Sequence, residues 1–303
     1  MDKYELRELH KEDFELILPL FKQRYTGAVE SILTSYYMWK NFYKTRYLLF
    51  DDALIWLLEV DGEIGTQAPV CCKEKLKHYF LQAQEYFNDV LGRKMTLYLC
   101  DADAVRLLDL DPDKYEIIPD RRYFDYIYDA QKIMTYSGKA YHKKKNHVNA
   151  FLKEYGDRYE YRSMHCVSHY YEIMEFLYKW EDLRGIEDEY DRVNAELRGI
   201  DYLISNCNYI NFRMGGIYID DKLEAFTLGV FAKGEKMAYI HVEKANPNIR
   251  GLYPFIFQQF LLHECPDALY VNREDDMGLE GLRKSKMSYN PIRLVEKYEI
   301  RQL

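Results

Sequence analysis

A mixed α/β chain built from two halves of like element order is the fold class this sequence predicts. Three observations predict it. Short apolar strand-like runs alternate with amphipathic stretches of helical spacing along the whole chain. The order strand, two helices, antiparallel strands, then helix–strand–helix–strand occurs twice. Tyr4-Glu5-Leu6-Arg7 at the head of the first half is echoed by Tyr159-Glu160-Tyr161-Arg162 at the head of the second.

Residues 4–9 alternate like a strand, and 11–24 place Phe14, Ile17, Leu18 and Phe21 on one helical face. A second helix is expected over 30–43, then strands over 46–50 and 54–60, with Asp61-Gly62 as a turn. The 73–91 stretch is a long amphipathic helix stopped by Gly92. A strand over 95–100, a short helix over 102–110 and strands over 115–118 and 123–128 close the half. The second half opens on one long helix over 131–155, stopped by Gly156 and expected to bridge the halves. A strand over 159–164 and helices over 168–183 and 189–206 follow. Strands are expected over 216–219, 225–231 and 237–242, with Asp220-Asp221 and Lys233-Gly234 as turns. Helix 252–264, strand 268–272, helix 279–287 and strand 293–298 complete the chain. This is the layout of an N-acyltransferase (GNAT) domain, each copy a mixed, mostly antiparallel sheet flanked by helices. The expected domains are 1–130 and 131–303, the second carrying the active site.

Composition narrows the function. The 303 residues suffice for two domains with sizeable cores. A net charge of −8 argues against a protein that coats nucleic acid indiscriminately, while leaving room for a local basic channel. Thirty tyrosines imply many half-buried rings with the hydroxyl at a polar partner. The charged start MDKYELRELHKEDFEL has no apolar signal segment, and no apolar run approaches a membrane span. The six cysteines form no CxxC pair, so free thiols, no disulfide and a cytoplasmic location are expected. His165 and His169 flank Cys166 but lack the glutamate of HExxH and a third ligand, so no metal is expected. The sequence has no GxSxG, no GxxxxGK and no GxGxxG, which removes the main support for serine hydrolase, P-loop NTPase and Rossmann dehydrogenase readings.

Three stretches carry chemistry. Between Asp129 and Glu154 there is no acid but six lysines, Lys132, Lys139, Lys143, Lys144, Lys145 and Lys153. On a helix Lys139 and Lys143 share a face, a local attractor for phosphates in an acidic chain. The commoner fate of a lysine run is a solvated face. Second, Ile240-His-Val-Glu-Lys-Ala-Asn-Pro-Asn-Ile-Arg-Gly-Leu-Tyr-Pro254 is a strand, a turn and a helix start, a place where free N–H groups hold anions. Gly251 would let a ligand approach the backbone. In a coenzyme A loop of this layout Asn248, Gly251 and Tyr253 stand where Gln/Arg, Gly and Gly/Ala are usual, a degenerate signature. An ordinary strand-to-helix turn explains it equally well. Third, a strand ends at Arg273-Glu274-Asp275-Asp276, at the carboxyl end where open sheets place active sites. Clustered carboxylates raise one another's pKa and suit a base, although surface ion pairs are their commoner use.

Together these stretches resemble the soluble catalytic domain of phosphatidylglycerol lysyltransferases and its stand-alone bacterial relatives, which are similar in turn to Fem-type peptidoglycan aminoacyltransferases. The matching segments are Ser137-Gly-Lys-Ala-Tyr-His-Lys-Lys-Lys-Asn-His147, Ile240-His-Val-Glu-Lys-Ala245, Val271-Asn-Arg-Glu-Asp-Asp-Met-Gly-Leu-Glu-Gly-Leu-Arg-Lys-Ser-Lys-Met-Ser-Tyr-Asn-Pro291 and Val295-Glu-Lys-Tyr298. The likeness is dense over 123–298 and rests on element order before that. It implies a tandem GNAT fold and aminoacyl transfer from charged tRNA, with no required cofactor. An acyl-CoA-dependent N-acyltransferase, with coenzyme A or acetyl-CoA as donor, and a non-catalytic anion-binding module remain as alternatives. The family's membrane-spanning region is not legible here, so the acceptor stays open among a small molecule, a peptide and a lipid head group. Glu243 or Asp275 is expected as the base and Tyr289 as the acid. Lys139, His142, Lys143, Asn146, Asn248, Arg250, Gly251, Arg273, Arg283 and Lys284 are expected to hold the donor. Glu243, Arg273 and Lys284 should line one cleft.

Overall fold

The structure is a computed structural model and describes residues 4–184 and 190–303. The first part of the chain forms β1 (Leu6–Glu8), α1 (Phe14–Phe21), α2 (Leu33–Trp39), β2 (Arg46–Leu49), β3 (Leu54–Val60), β4 (Glu63–Gly65), α3 (Leu76–Glu85), β5 (Thr96–Asp101), α4 (Ala102–Leu108), β6 (Tyr115–Pro119) and β7 (Asp125–Asp129). Next come α5 (Ala130–Thr135), α6 (His142–Tyr155), β8 (Tyr159–Ser163), α7 (Cys166–Arg184), α8 (Tyr190–Ser205), β9 (Arg213–Ile219), β10 (Lys222–Ala232) and β11 (Met237–Ala245). The chain ends with α9 (Leu252–Glu264), β12 (Tyr270–Asn272), α10 (Glu280–Met287), β13 (Arg293–Val295) and β14 (Lys297–Gln302). Glu189, the expected first residue of the 189–206 helix, lies outside the described residues.

The chain divides into two compact units, Met1–Asp125 with Val295–Leu303, and Tyr126–Leu294. Among the described residues the first holds two sheets, β1-β2-β3-β4 and β5-β14-β6, and the second holds one seven-stranded sheet, β13-β7-β12-β11-β10-β9-β8. The repeated element order is therefore real, but a simple cut at 130/131 does not describe it. The last strand of the first half, β7, lies in the second unit's sheet beside β12, and the C-terminal β14 lies between β5 and β6 of the first. The single strand expected over 293–298 is accordingly two strands in two sheets.

Charge holds β14 in its place. Lys297 on β14 has no exposed surface, and its Nζ lies 2.7 Å from Asp125 Oδ1 and 2.9 Å from Glu30 Oε1. Asp125 also accepts the Val29 N–H at 2.7 Å. Buried charges of this kind persist only when paired and hydrogen-bonded.

The long helix expected over 131–155 is broken. Tyr136 adopts a left-handed backbone (φ +43°) and Gly138 has φ +94°, so α5 stops and α6 starts afresh at His142. The cost of φ > 0 at a tyrosine is offset by its side chain: the ring is buried and its Oη donates to Pro254 O at 2.7 Å. Both helices belong to the second unit, so neither is the bridge that a continuous helix would have made. The lysine block is likewise divided, with Lys132 on α5 and Lys143–Lys153 on α6.

The core of the second unit is built on α9. Leu252, Pro254, Phe255, Ile256, Phe257, Phe260 and Leu261 are all buried, because the helix has the sheet on one side and α5 and α6 on another. An apolar surface extending this far round a helix marks it as buried. Gly251 caps it with φ +86°, and a Cβ there would stand 2.1 Å from His147 O of α6. The glycine therefore serves helix–helix approach rather than the approach of a ligand, the use expected for it.

The cysteine expectation is corrected in one pair. Cys166 begins α7 and Cys207 follows α8; the two helices pack together, bring the Cα atoms to 6.4 Å and join the cysteines in a disulfide. Sequence spacing alone gave no sign of this, since 41 residues separate the pair. At the start of α7 the His169 Nδ1 accepts the His165 backbone N–H at 3.0 Å. No helix of the described residues is long and apolar enough to cross a membrane.

Two outcomes follow from this architecture. Lys297→Met should lower stability by about 3–5 kcal/mol, since it strands two buried carboxylates. Lys77→Met, at an exposed position, should change it by less than about 0.5 kcal/mol in the same urea titration. Thiol titration of the air-equilibrated, denatured protein should count four free thiols, Cys71, Cys72, Cys100 and Cys265, rising to six after reduction; six before reduction would exclude the disulfide.

Candidate active site

The site arises where two parallel strands stop pairing. β11 pairs β12 only over Met237–Tyr239 with Tyr270–Asn272. β12 then ends, while β11 continues to Ala245. On its other side β11 pairs β10, with a register shift between Leu228↔Val242 and Gly229↔Ile240 that leaves His241 as an extra residue. Such a bulge re-aims the side chains that follow it. The opening beyond Tyr239 is thus lined by polar residues of β11 and by the loop after β12.

Glu243 and Arg273 meet there. Arg273 Nη2 donates to Glu243 Oε1 at 2.7 Å, with side chains only 12% and 6% exposed. The guanidinium lies 4.3 Å from the Phe257 ring centroid and 4.7 Å from that of Tyr289. Lys144 Nζ, from α6, lies 3.5 Å from the same Tyr289 centroid. Glu243 Oε2 and Arg273 Nη1 are both buried and lack a hydrogen-bond partner among the described residues. An unused acceptor and an unused donor on one buried ion pair are costly unless something else completes them.

Burial shifts Glu243, Lys144 and Tyr289. It pushes the Glu243 carboxyl up, against the pull of Arg273, Lys286 and Lys144. It pushes Lys144 down to about 8, with repulsion from Arg273 adding to the effect. It also raises the Tyr289 phenol. Arg273 stays charged, because Glu243 and the surrounding tyrosines outweigh its desolvation. The site therefore pairs a carboxylate with raised proton affinity and an amine with lowered proton affinity, and each shift brings the group nearer to neutral pH, where acid–base chemistry works best.

The loop after β12 is rigid by construction. Lys286, buried on α10, donates to the carbonyls of Arg273 (2.5 Å) and Asp275. Asp276 is fully buried and accepts two bonds of 2.9 Å from Arg283, one from Tyr126 and one from the Gly278 N–H. Burial alone would raise its pKa; those bonds outweigh it and hold the carboxyl at about 2. Arg283 is thereby committed to the loop. Asp275 accepts the Met277 N–H at 2.9 Å and acts as a turn residue. Lys284 is exposed on α10, so of the expected cleft trio the structure brings together Glu243 and Arg273 with Tyr289 rather than Lys284.

Lys139, His142, Lys143, Lys145 and Asn146 are all exposed, with Asn146 Nδ2 3.4 Å from His142 Nδ1. Asn248 and Arg250 are exposed too. After burial, the charges that push His147 down are Arg250, Lys144 and Lys143, which sets Arg250 beside the α6 lysines in one basic patch. The turn before α9 is a poor phosphate cradle. Pro247 and Pro254 have no N–H, and the N–H groups of Asn246, Asn248, Ile249 and Leu252 bond to Glu224 O, Asn246 Oδ1, Asn246 O and Ile249 O.

Sequence reading takes Lys144 and Glu274 only as members of the lysine block and the carboxylate cluster, and gives His241 and Lys286 no individual role. Lys144 was legible: it precedes Val148, Phe151 and Tyr155 at helical spacing and so sits on the inward face of α6. His241 gave the weaker signal of a polar residue in an apolar strand. Its Nδ1 lies 2.7 Å from Glu274 Oε1, and its buried Nε2 has no partner among the described residues.

A family model described as "Phosphatidylglycerol lysyltransferase, C-terminal" matches residues 23–301. Among solved structures, the chain is similar to a conserved protein of unknown function from Bacteroides thetaiotaomicron VPI-5482, at 26% identity and a TM-score of 0.88 over 100% of both chains. Its fold is also that of L-PGS from Bacillus licheniformis, with 14% identity, a TM-score of 0.70 and coverage of 98% of this chain and 93% of that one. A tandem GNAT protein from the clavulanic acid biosynthesis pathway aligns at 8% identity and a TM-score of 0.50, over 99% and 98% of the two chains. The fold is thus a mixed α/β tandem GNAT architecture. Because the family match runs through both units, from residue 23 to residue 301, the chain belongs to the phosphatidylglycerol lysyltransferase C-terminal family.

Proposed function

We propose that this protein is an aminoacyltransferase that moves an aminoacyl group from aminoacyl-tRNA to an amine or hydroxyl acceptor. The observation that carries this reading is the buried Glu243–Arg273 pair with one acceptor and one donor unused. An ester carbonyl needs a donor, and the attacking N–H or O–H needs an acceptor. Arg273 Nη1 suits the carbonyl oxygen and the charge that develops on it. Glu243 Oε2 suits the nucleophile's proton, its affinity for it already raised by burial. As the acyl–oxygen bond breaks, the departing ribose oxygen takes a proton. Lys144, at about 8, is a better source than Tyr289, whose phenol burial makes a weaker acid. The product is the acylated acceptor and uncharged tRNA.

The donor assignment rests on electrostatics. Lys139, Lys143, Lys145 and Arg250 are exposed around the helix that also carries Lys144 inward. A polyanion docking on that patch would end beside the ion pair. Coenzyme A is the weaker candidate, since the turn before α9 has no N–H at Pro247 and the N–H groups of Asn246, Asn248, Ile249 and Leu252 are already bonded. A lipid head group, a peptide and a small amine all remain within the acceptor chemistry of the pair.

Transfer of labelled amino acid from charged tRNA to a panel of such acceptors tests this directly. Glu243→Gln should cut the rate by about 10²–10⁴, with charged-tRNA binding unchanged. The rate should rise with pH as Glu243 ionises, then fall above about 8 as Lys144 loses the proton it must donate; Lys144→Arg should remove the falling limb. Transfer undiminished in Glu243→Gln would overturn the assignment. Binding of charged tRNA should weaken by at least about tenfold between about 50 and 200 mM salt. Lys143→Ala with Lys145→Ala should lower the log–log salt slope by about 1–2 without altering stability. Tight, salt-insensitive acetyl-CoA binding without tRNA binding would reverse the choice of donor.

A further inference from the structure

The first unit has its own opening at the topologically matching place. The strands corresponding to β11 and β12 are β4 with its continuation, and β5. Their parallel pairing is a single bridge, Thr66↔Leu97, with Thr66 N–H donating to Thr96 O at 2.9 Å and Tyr98 N–H to Thr66 O at 2.8 Å. Beyond it the two segments separate and leave a cavity lined by Arg24, Glu30, Tyr36, Gln67, Leu99 and Asp101, among others. Where the second unit fills its opening with an ion pair, the first leaves space.

The walls are organised. Arg24 donates two bonds, of 3.0 and 2.9 Å, to Asp101, which also accepts the Ala104 N–H at the start of α4. Tyr36 is stacked on Trp56, with centroids 4.3 Å apart and planes 16° apart, and its Oη donates to Gln67 Oε1. Glu30 faces the cavity with Lys297 and Asp125 behind it. Leu99 holds a left-handed backbone, φ +54°, in the cavity wall. That conformation is unfavourable for a leucine and recurs where a fold sacrifices local comfort for a site.

The charges do not balance. Glu30, Asp101 and Asp125 face Arg24 and Lys297, three carboxylates against two cations. Asp101 is held by Arg24 and a backbone N–H, whereas the single charge of Lys297 is shared between Asp125, at 2.7 Å, and Glu30, at 2.8 and 2.9 Å. Of these two carboxylates it is Glu30 that lines the cavity, where a further cation can reach it. We infer that this cavity is a second ligand site, which takes a compact primary ammonium seated against Glu30. An ammonium supplies the missing positive charge and offers N–H donors to a carboxylate, and Tyr36 offers an aromatic wall to its alkyl part. A carboxylate or phosphate ligand would deepen the imbalance. The inference does not depend on the transfer reaction proposed for the second unit.

Burial, with repulsion from Asp125, pushes Glu30 up to about 7 in the unliganded protein, against the pull of Lys297. The other groups facing the cavity are Arg24, Asp101, Tyr36 and Cys71. The ammonium binds the ionised carboxylate, so binding releases the Glu30 proton. Affinity therefore rises with pH below about 7, by up to about tenfold per pH unit, and levels off above it.

Calorimetry on the full chain tests this with n-butylamine, butyrate and inorganic phosphate, each in two buffers of different ionisation enthalpy. Butylamine should bind with proton release at about pH 6 and with none at about pH 8.5, and neither anion should bind in the cavity. Glu30→Gln should weaken butylamine at least tenfold and abolish the proton release. Ala68→Leu, which fills the cavity without touching its charges, should block binding in the same way and serves if Glu30→Gln does not fold. Butylamine binding that survives either substitution in a folded protein, or anion binding that either substitution removes, would overturn the inference.

Discussion

The second unit is organised by the early end of β12. A parallel pair must either continue its ladder or leave one strand's polar groups and side chains facing an opening. Here β11 runs on past the end of β12 from Ile240 to Ala245, paired with β10 on its other side, and the Glu243–Arg273 pair stands in that opening. The bulge at His241 changes the aim of the strand just as pairing with β12 ceases, and Glu243 lies two residues further on. Lys286 and Asp276 then hold the loop that returns Arg273 to the same place.

Burial is what sets these groups apart from surface charges. Glu243, Arg273 and Lys144 would be ordinary surface charges on an exposed loop, screened and with unshifted proton affinities. Between Phe257 and Tyr289 their interactions strengthen, and carboxylate and amine move toward each other in proton affinity. The surrounding tyrosines, abundant in this chain, fit that role. They fill the volume as hydrophobic rings and still satisfy polar groups, as Tyr128 does by donating to Lys286 O at 2.9 Å.

Helix α6 joins surface electrostatics to this interior. Its lysine run is short, but consecutive residues on a helix point about 100° apart. Lys143 and Lys145 therefore stay in solvent while Lys144 turns onto Tyr289. The break at Tyr136–Gly138 lets α6 take an axis of its own, and the bare backbone of Gly251 lets it lie against α9. One helix thus carries exposed lysines on one face and a lysine packed on Tyr289 on another.

By itself the sequence determined the element types, the duplicated order, the two strand ends that carry Glu243 and Arg273, and the basic helix, because these depend on local periodicity and punctuation. Lys144 was also within its reach, through its register with Val148 and Phe151. Tertiary structure decided what depends on distant partners. Buried Asp125 and Glu30 draw Lys297, and with it β14, into the first unit, a choice no local pattern records. The hydrogen bond from Tyr136 to Pro254 O holds a left-handed turn that splits a helix the local pattern would have continued. Packing of α7 on α8 joins Cys166 to Cys207. The roles of Arg283 and Asp275 were settled the same way, since a charged loop reads alike whether its side chains await a ligand or, as here, bind their own backbone and each other.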